Sequence, residues 1–117
     1  PTQSKERVEL STIDEFCEKN GIDQISLMKI DVEGHELFVL KGAMNMLQEG
    51  RVAILQFEFG PTNMDSKTYL RDFFDLLGND YELFRIIPDG LVRLPDYSEK
   101  LEVFIPQNIL AIRKSSE

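Results

Sequence analysis

The chain has one cysteine, one histidine and no tryptophan among its 117 residues, and that scarcity removes several classes of function at once. With Cys17 alone, no intramolecular disulfide forms and no thiolate zinc cluster assembles, which sets the expectation of a reducing, cytoplasmic compartment. Apolar runs last only a few residues, far short of the ~20 that cross a bilayer, and no basic stretch followed by an apolar one opens the sequence. Neither membrane insertion nor secretion is expected. Positive charge is also in deficit, since 13 Lys and Arg against 21 Asp and Glu leave a net of −8 that repels phosphate backbones. A nucleic-acid partner is therefore not expected. The Gly-rich phosphate loop, the Gly-x-Ser-x-Gly elbow, the Cys-x-x-Cys pair and the His-Glu-x-x-His helix are all missing, as are internal repeats and low-complexity tracts.

What is present is enough apolar content, 42%, for one modest core. Val8 to Leu10 ends a strand in this reading, and Thr12 with Glu15 then has the spacing of a capping box ahead of a short helix stopped by Gly21. Ile25 to Val32 is a mostly apolar run of strand length and is predicted to be buried. It ends in Asp31, Glu33 and the turn-permitting Gly34. Leu37, Leu40, Met44 and Leu47 then recur at helical spacing from His35 to Gln48. The unit repeats: Val52 to Phe59 is nearly all apolar, Gly60-Pro61 breaks it, and Leu70, Phe73, Phe74 and Leu77 mark a helix closed by Gly78.

Apolar strands alternating with amphipathic helices predict an α/β fold with parallel strands and helices on both faces of the sheet. The rhythm then changes, because Tyr81 to Ile87 and Leu91 to Leu94 flank Pro88-Asp89-Gly90, a hairpin signal. Pro95 to Pro106 reads as an exposed loop, and Ile109 to Ile112 as a last strand.

In open parallel sheets, ligands collect at the carboxyl ends of the strands, where loops and helix amino termini converge. Two acidic groups fall there: Asp31, Glu33, His35 and Glu36 after the first buried strand, and Glu58 near the end of the next. A carboxylate beside an imidazole polarises the ring, so Asp31 and His35 are the candidate catalytic pair, with Glu33 and Glu58 placed to hold a substrate. Two other readings stay open. Asp31 and Glu33 can simply serve the start of the following helix, and Asp31, Glu33, His35 and Glu58 also offer the oxygen and nitrogen donors that a metal ion takes. Lys29, inside the first apolar strand, either anchors a carboxylate or extends its ammonium to solvent at a sheet edge. The four methionines and the Phe73-Phe74 pair are read as core.

The block Leu27-Met28-Lys29-Ile30-Asp31-Val32-Glu33-Gly34-His35-Glu36-Leu37, continued by Phe38 to Ala43, resembles the signature of FkbM-family methyltransferases. Ser11 to Phe16, Gln56 to Glu58 and Asn108 to Ala111 resemble the family's flanking elements in the same order. The resemblance implies the C-terminal half of a Rossmann-like class I methyltransferase fold, its fourth to seventh strands, with the last strand antiparallel between the fifth and sixth. It implies transfer of a methyl group from S-adenosylmethionine to a hydroxyl of a sugar, a polyketide or a related small molecule. In such a family the cofactor loop would precede residue 1, so the chain is expected to be one part of a single methyltransferase domain that by itself neither binds the cofactor tightly nor turns over. A non-catalytic module that pairs through an exposed sheet edge, as a homodimer or with another chain, is the rival expectation.

Overall fold

The structure, a computed structural model, describes residues 11–115. The strand expected to end at Leu10 lies outside the described residues. Helix α1, Ile13–Asn20, starts at the expected capping box: Thr12 Oγ1 accepts from the Glu15 amide and Glu15 Oε1 accepts from the Thr12 amide. Gly21 ends it with φ +66°, a conformation that an L side chain rarely takes.

Strand β1, Ile25–Ile30, is followed by two short helices, α2 (Glu36–Lys41) and α3 (Met44–Gln48), where the apolar spacing predicts one. The break at Gly42 and Ala43 has a long-range cause. Asp14, on α1, accepts the Asn45 and Met46 amides with its two carboxylate oxygens at 2.9 and 3.0 Å, and its own amide donates to the Gly42 carbonyl at 3.0 Å. The α3 amino terminus is thus capped from another helix, which a reading of local sequence cannot see. Asp14→Ala removes both acceptor bonds and is expected to destabilise the chain by about 1–2 kcal/mol, read as a lower thermal midpoint.

Strand β2, Val52–Phe59, runs as expected. Gly60-Pro61 does not simply break the chain, because Pro61 opens a further helix, α4 (Pro61–Ser66), with its missing amide at a position where none is needed. The fully buried Asn63 side chain reaches back to accept the Gly60 amide at 2.9 Å and donates to Thr68 Oγ1. Helix α5, Leu70–Leu77, buries Leu70, Phe73 and Leu77. Strands β3 (Tyr81–Ile87) and β4 (Gly90–Leu94) form the expected antiparallel hairpin, and β5 (Gln107–Arg113) closes the sheet.

The strand order is β1-β2-β5-β3-β4. Only β1 and β2 pair in parallel, and β5 lies antiparallel between β2 and β3, so the sheet is mixed. The expectation of a sheet covered on both faces is corrected. Met28, Ile30, Leu55, Phe57, Ile109, Ala111 and Leu83 share one face and pack with Leu40, Met46, Phe73 and Leu77 from the helices. Phe57 stacks on Phe73 with ring centroids 4.5 Å apart. Leu27, Ile54, Ile112, Leu110, Phe84 and Ile86 share the other face by the same register, and no described helix buries them. The buried strand predicted at 25–32 is therefore buried on one side only, with Leu27 at 56% exposure, since β1 is an edge strand among the described residues.

The loop from Pro95 to Pro106 is anchored rather than free. It forms a single 3-10 turn at Glu99–Leu101, and Tyr97, Leu101 and Phe104 lean on the core. Glu102 accepts the Leu70 and Arg71 amides at 2.8 and 2.9 Å, capping α5, and also accepts a hydrogen bond from the Tyr97 hydroxyl. That bond to Glu102, followed by burial and the Glu102 charge, holds the Tyr97 proton on until about pH 12 against an ordinary 10.0. The folded chain binds this proton more tightly than the unfolded one, so the contribution is complete below pH 10 and is lost as pH rises from 10 to about 12. Alkaline titration of stability should show this loss in the native chain and a smaller one in Tyr97→Phe.

Candidate active site

The carboxyl ends of β1 and β2 are brought side by side by their parallel register, in which Lys29 pairs with Gln56 and Ile30 with Phe57. Lys29, Gln56 and Glu58 point to the open face of the sheet, and Asn108, opposite Glu58 on β5, points the same way. With Asp31 at the end of β1 they line a hollow of about 190 Å³. The hollow thus contains two carboxylates, two carboxamides and one ammonium. Lys29 makes no ion pair within 4 Å among the described residues, and its exposure agrees with an ammonium extended to solvent.

Of the four residues singled out in the sequence, the structure brings Asp31 and Glu58 to this one hollow and places Glu33 and His35 outside its lining, both exposed. His35 is the residue before α2, and its side chain caps nothing. Glu33 sits at φ +45° and Gly34 at φ +98°, and the His35 amide bonds back to the Val32 carbonyl at 3.3 Å, so residues 32–35 form a turn with two left-handed central residues. Gly34 is needed there twice over. Besides its φ, a Cβ on Gly34 would stand 2.7 Å from the Thr62 carbonyl oxygen of α4. The β1–α2 turn and the start of α4 therefore approach each other closely through their backbones.

One residue that local sequence reading treats only as a first-turn acid stands out here. Glu36 is fully buried, its Oε1 accepts the Gly34 amide at 3.0 Å, and its Oε2 has no partner among the described residues. No signal short of the fold distinguishes it from an ordinary acid at a helix start. Among the described residues no three His, Cys, Asp or Glu converge as a metal site, so the four donors read from the sequence are not gathered into one.

A larger hollow, about 610 Å³, is elsewhere, between α1 and α3, and its lining includes Asp14, Glu15, Glu18, Glu49 and Arg51. Several of its polar groups are already engaged: Asp14 caps α3, Glu15 caps α1, and Arg51 bonds Glu49 and the Asp23 carbonyl. It is a groove between helix exteriors, away from the strand ends, and the smaller hollow has the better-placed chemistry.

Comparison with known proteins decides the family. The model of the FkbM methyltransferase domain matches residues 2–85, well over half of the chain. The chain belongs to the FkbM methyltransferase family. The match includes β1, the 32–35 turn, β2 and most of β3, so the lining residues of the hollow on β1 and β2 lie inside it, while Asn108 on β5 lies beyond it. A curated relative, the hexuronic acid methyltransferase AglP of Haloferax volcanii, is 43% identical over 47 residues, which is 40% of this chain and 20% of that protein. The FkbM chain thus spans about a fifth of the length of the curated relative it matches. No solved structure matches it. No described helix is long and apolar enough to cross a membrane.

Proposed function

We propose that this FkbM domain carries the acceptor side of an S-adenosylmethionine-dependent O-methyltransferase, and that the hollow between the ends of β1 and β2 receives a hydroxyl of a sugar or a related small molecule. The observation that supports it most is that Asp31 and Glu58, from the ends of two parallel strands, line one hollow together with Gln56 and Asn108. Carboxylates and carboxamides are the groups that hold sugar hydroxyls, and the relative whose name specifies a hexuronic acid makes a sugar the first acceptor to try.

The hollow suits the reacting end of the cofactor, since two carboxylates favour a sulfonium cation, while the sequence has no Gly-rich loop to cradle the rest of it. Bound there, S-adenosylmethionine would supply an electrophilic methyl group. Glu58 and the carboxamides of Gln56 and Asn108 would hold and orient one acceptor hydroxyl, and such positioning contributes to the rate. Asp31 would take the proton of that hydroxyl. Asp31 is preferred over His35 as base because Asp31 lines the hollow. Glu33 contributes through the conformation of the turn rather than by touching the acceptor.

The test is methyl transfer by the whole protein from labelled cofactor to hexuronic acids, neutral sugars and a polyketide alcohol, with labelled product expected from a sugar. Absence of transfer to every hydroxyl acceptor would defeat the proposal.

The rival, a module that pairs through its sheet edge, has one observation in its favour: β1 is hydrogen-bonded only to β2 among the described residues. Sedimentation separates the two, because a dimer dispersed by Leu27→Lys would favour the module.

A further inference from the structure

Glu36 is the one buried side-chain oxygen bearer among the described residues with an atom left unbonded, and it stands two residues beyond the most strained peptide of the candidate site. A fully buried carboxylate with a single hydrogen bond is costly, and an apolar or amide side chain of similar size would fill the same space at less cost. What the carboxylate offers in return is an acceptor roughly twice as strong as a neutral one, aimed at a single donor, the Gly34 amide. That donor lies in the turn where Glu33 holds φ +45°, a conformation unfavourable for any residue but glycine by about 1 kcal/mol or more. The same turn is pressed against the Thr62 carbonyl, so its position is defined from both sides.

We propose that Glu36 is a positioning residue for the acceptor hollow: its buried carboxylate holds the left-handed Glu33–Gly34 turn closed, and so fixes the direction in which Asp31 leaves β1 toward Glu58. The turn follows Asp31 by a single residue, Val32, so a turn that relaxes toward ordinary backbone angles rotates the Asp31 end of the strand with it. The residue touches neither acceptor nor cofactor in this arrangement. It acts through the Gly34 amide, and the functional arm of its test rests on the methyl-transfer reading while the structural arm does not.

The test uses amide hydrogen exchange on the whole chain. In Glu36→Asp, whose carboxylate is too short to reach, the Gly34 amide should exchange on the order of tenfold faster or more, while the amides of β2 and β5 keep their native protection. Glu36→Gln keeps a weaker, neutral acceptor for Gly34 and should exchange faster than native but clearly slower than Glu36→Asp. Native protection at Gly34 in Glu36→Asp overturns the proposal, and so does a loss in Glu36→Gln as large as in Glu36→Asp. If Glu36→Asp does not fold, Glu36→Gln decides alone, and the proposal requires it to fold and protect Gly34. In the transfer assay, Glu36→Asp should lower kcat by about tenfold or more through the misplaced Asp31 and leave KM for the cofactor unchanged. A native protein that transfers nothing defeats the proposed function and leaves the exchange result standing. Transfer with an unaltered kcat in Glu36→Asp overturns the positioning role.

Discussion

Gly34→Ala is expected to lower stability by roughly 3 kcal/mol, a large share of the about 5–15 kcal/mol available to a domain of this size. Two causes act in the same direction. The new Cβ must occupy φ +98°, and it meets a backbone oxygen at 2.7 Å rather than a side chain that could swing away. Either α4 or the 32–35 turn has to move, and the turn follows Asp31, a lining residue of the hollow, by one residue. Denaturant unfolding of the native and variant chains checks the figure from the shift in midpoint at constant slope. A loss under about 1 kcal/mol would mean that the turn and α4 separate easily, and that the close approach described above does not constrain the site.

The second large effect is on transfer itself. Asp31→Asn keeps shape and hydrogen-bonding capacity but can no longer take a proton, so the whole protein should lose about 10²–10⁴-fold in kcat with little change in acceptor KM. Glu58→Gln should act differently, raising acceptor KM more than it lowers kcat, because its role is to hold and orient. His35→Ala is expected to stay near native rate, as the imidazole lies outside the hollow. A pattern in which His35→Ala is the most damaging of the three would reverse the assignment of the base.

The elements that could be read from sequence are those whose determinants are local. The α1 capping box spans four residues, β2 is a nearly continuous apolar run, and the β3–β4 hairpin has its Asp-Gly turn between two apolar segments. Where the reading failed, the cause was distant in the chain. Asp14 caps α3 from 31 residues away and splits what periodicity alone presents as one helix. The 95–106 segment is the exposed loop expected, but Glu102 also ties it to the start of α5 across a similar separation, a fastening that local sequence does not announce. Nor can composition say which side of an apolar strand will be covered: Leu27 and Met28 are equally suited to a core, and only the sheet's packing leaves one exposed and the other buried.

The site was legible in the same uneven way. Asp31 and Glu58 could be placed together because adjacent parallel strands end together, a rule of topology that needs no side-chain detail. Glu33 and His35 could not be placed, because the turn that carries them takes two consecutive positive φ angles, and only the glycine among them announces such a geometry in sequence. Glu36 was hidden for the opposite reason. An acid in the first turn of a helix is so ordinary on the surface that its complete burial becomes visible only when the loops around it are in place.

The central claim is that the acceptor sits between the ends of β1 and β2, and amide chemical shifts during titration of the whole, isotope-labelled protein with a methyl acceptor and S-adenosylhomocysteine test it most directly. The account predicts acceptor-dependent shifts at Lys29, Asp31, Glu58 and Asn108. Shifts confined to Asp14, Glu15, Glu49 and Arg51, in the larger groove between α1 and α3, would contradict it.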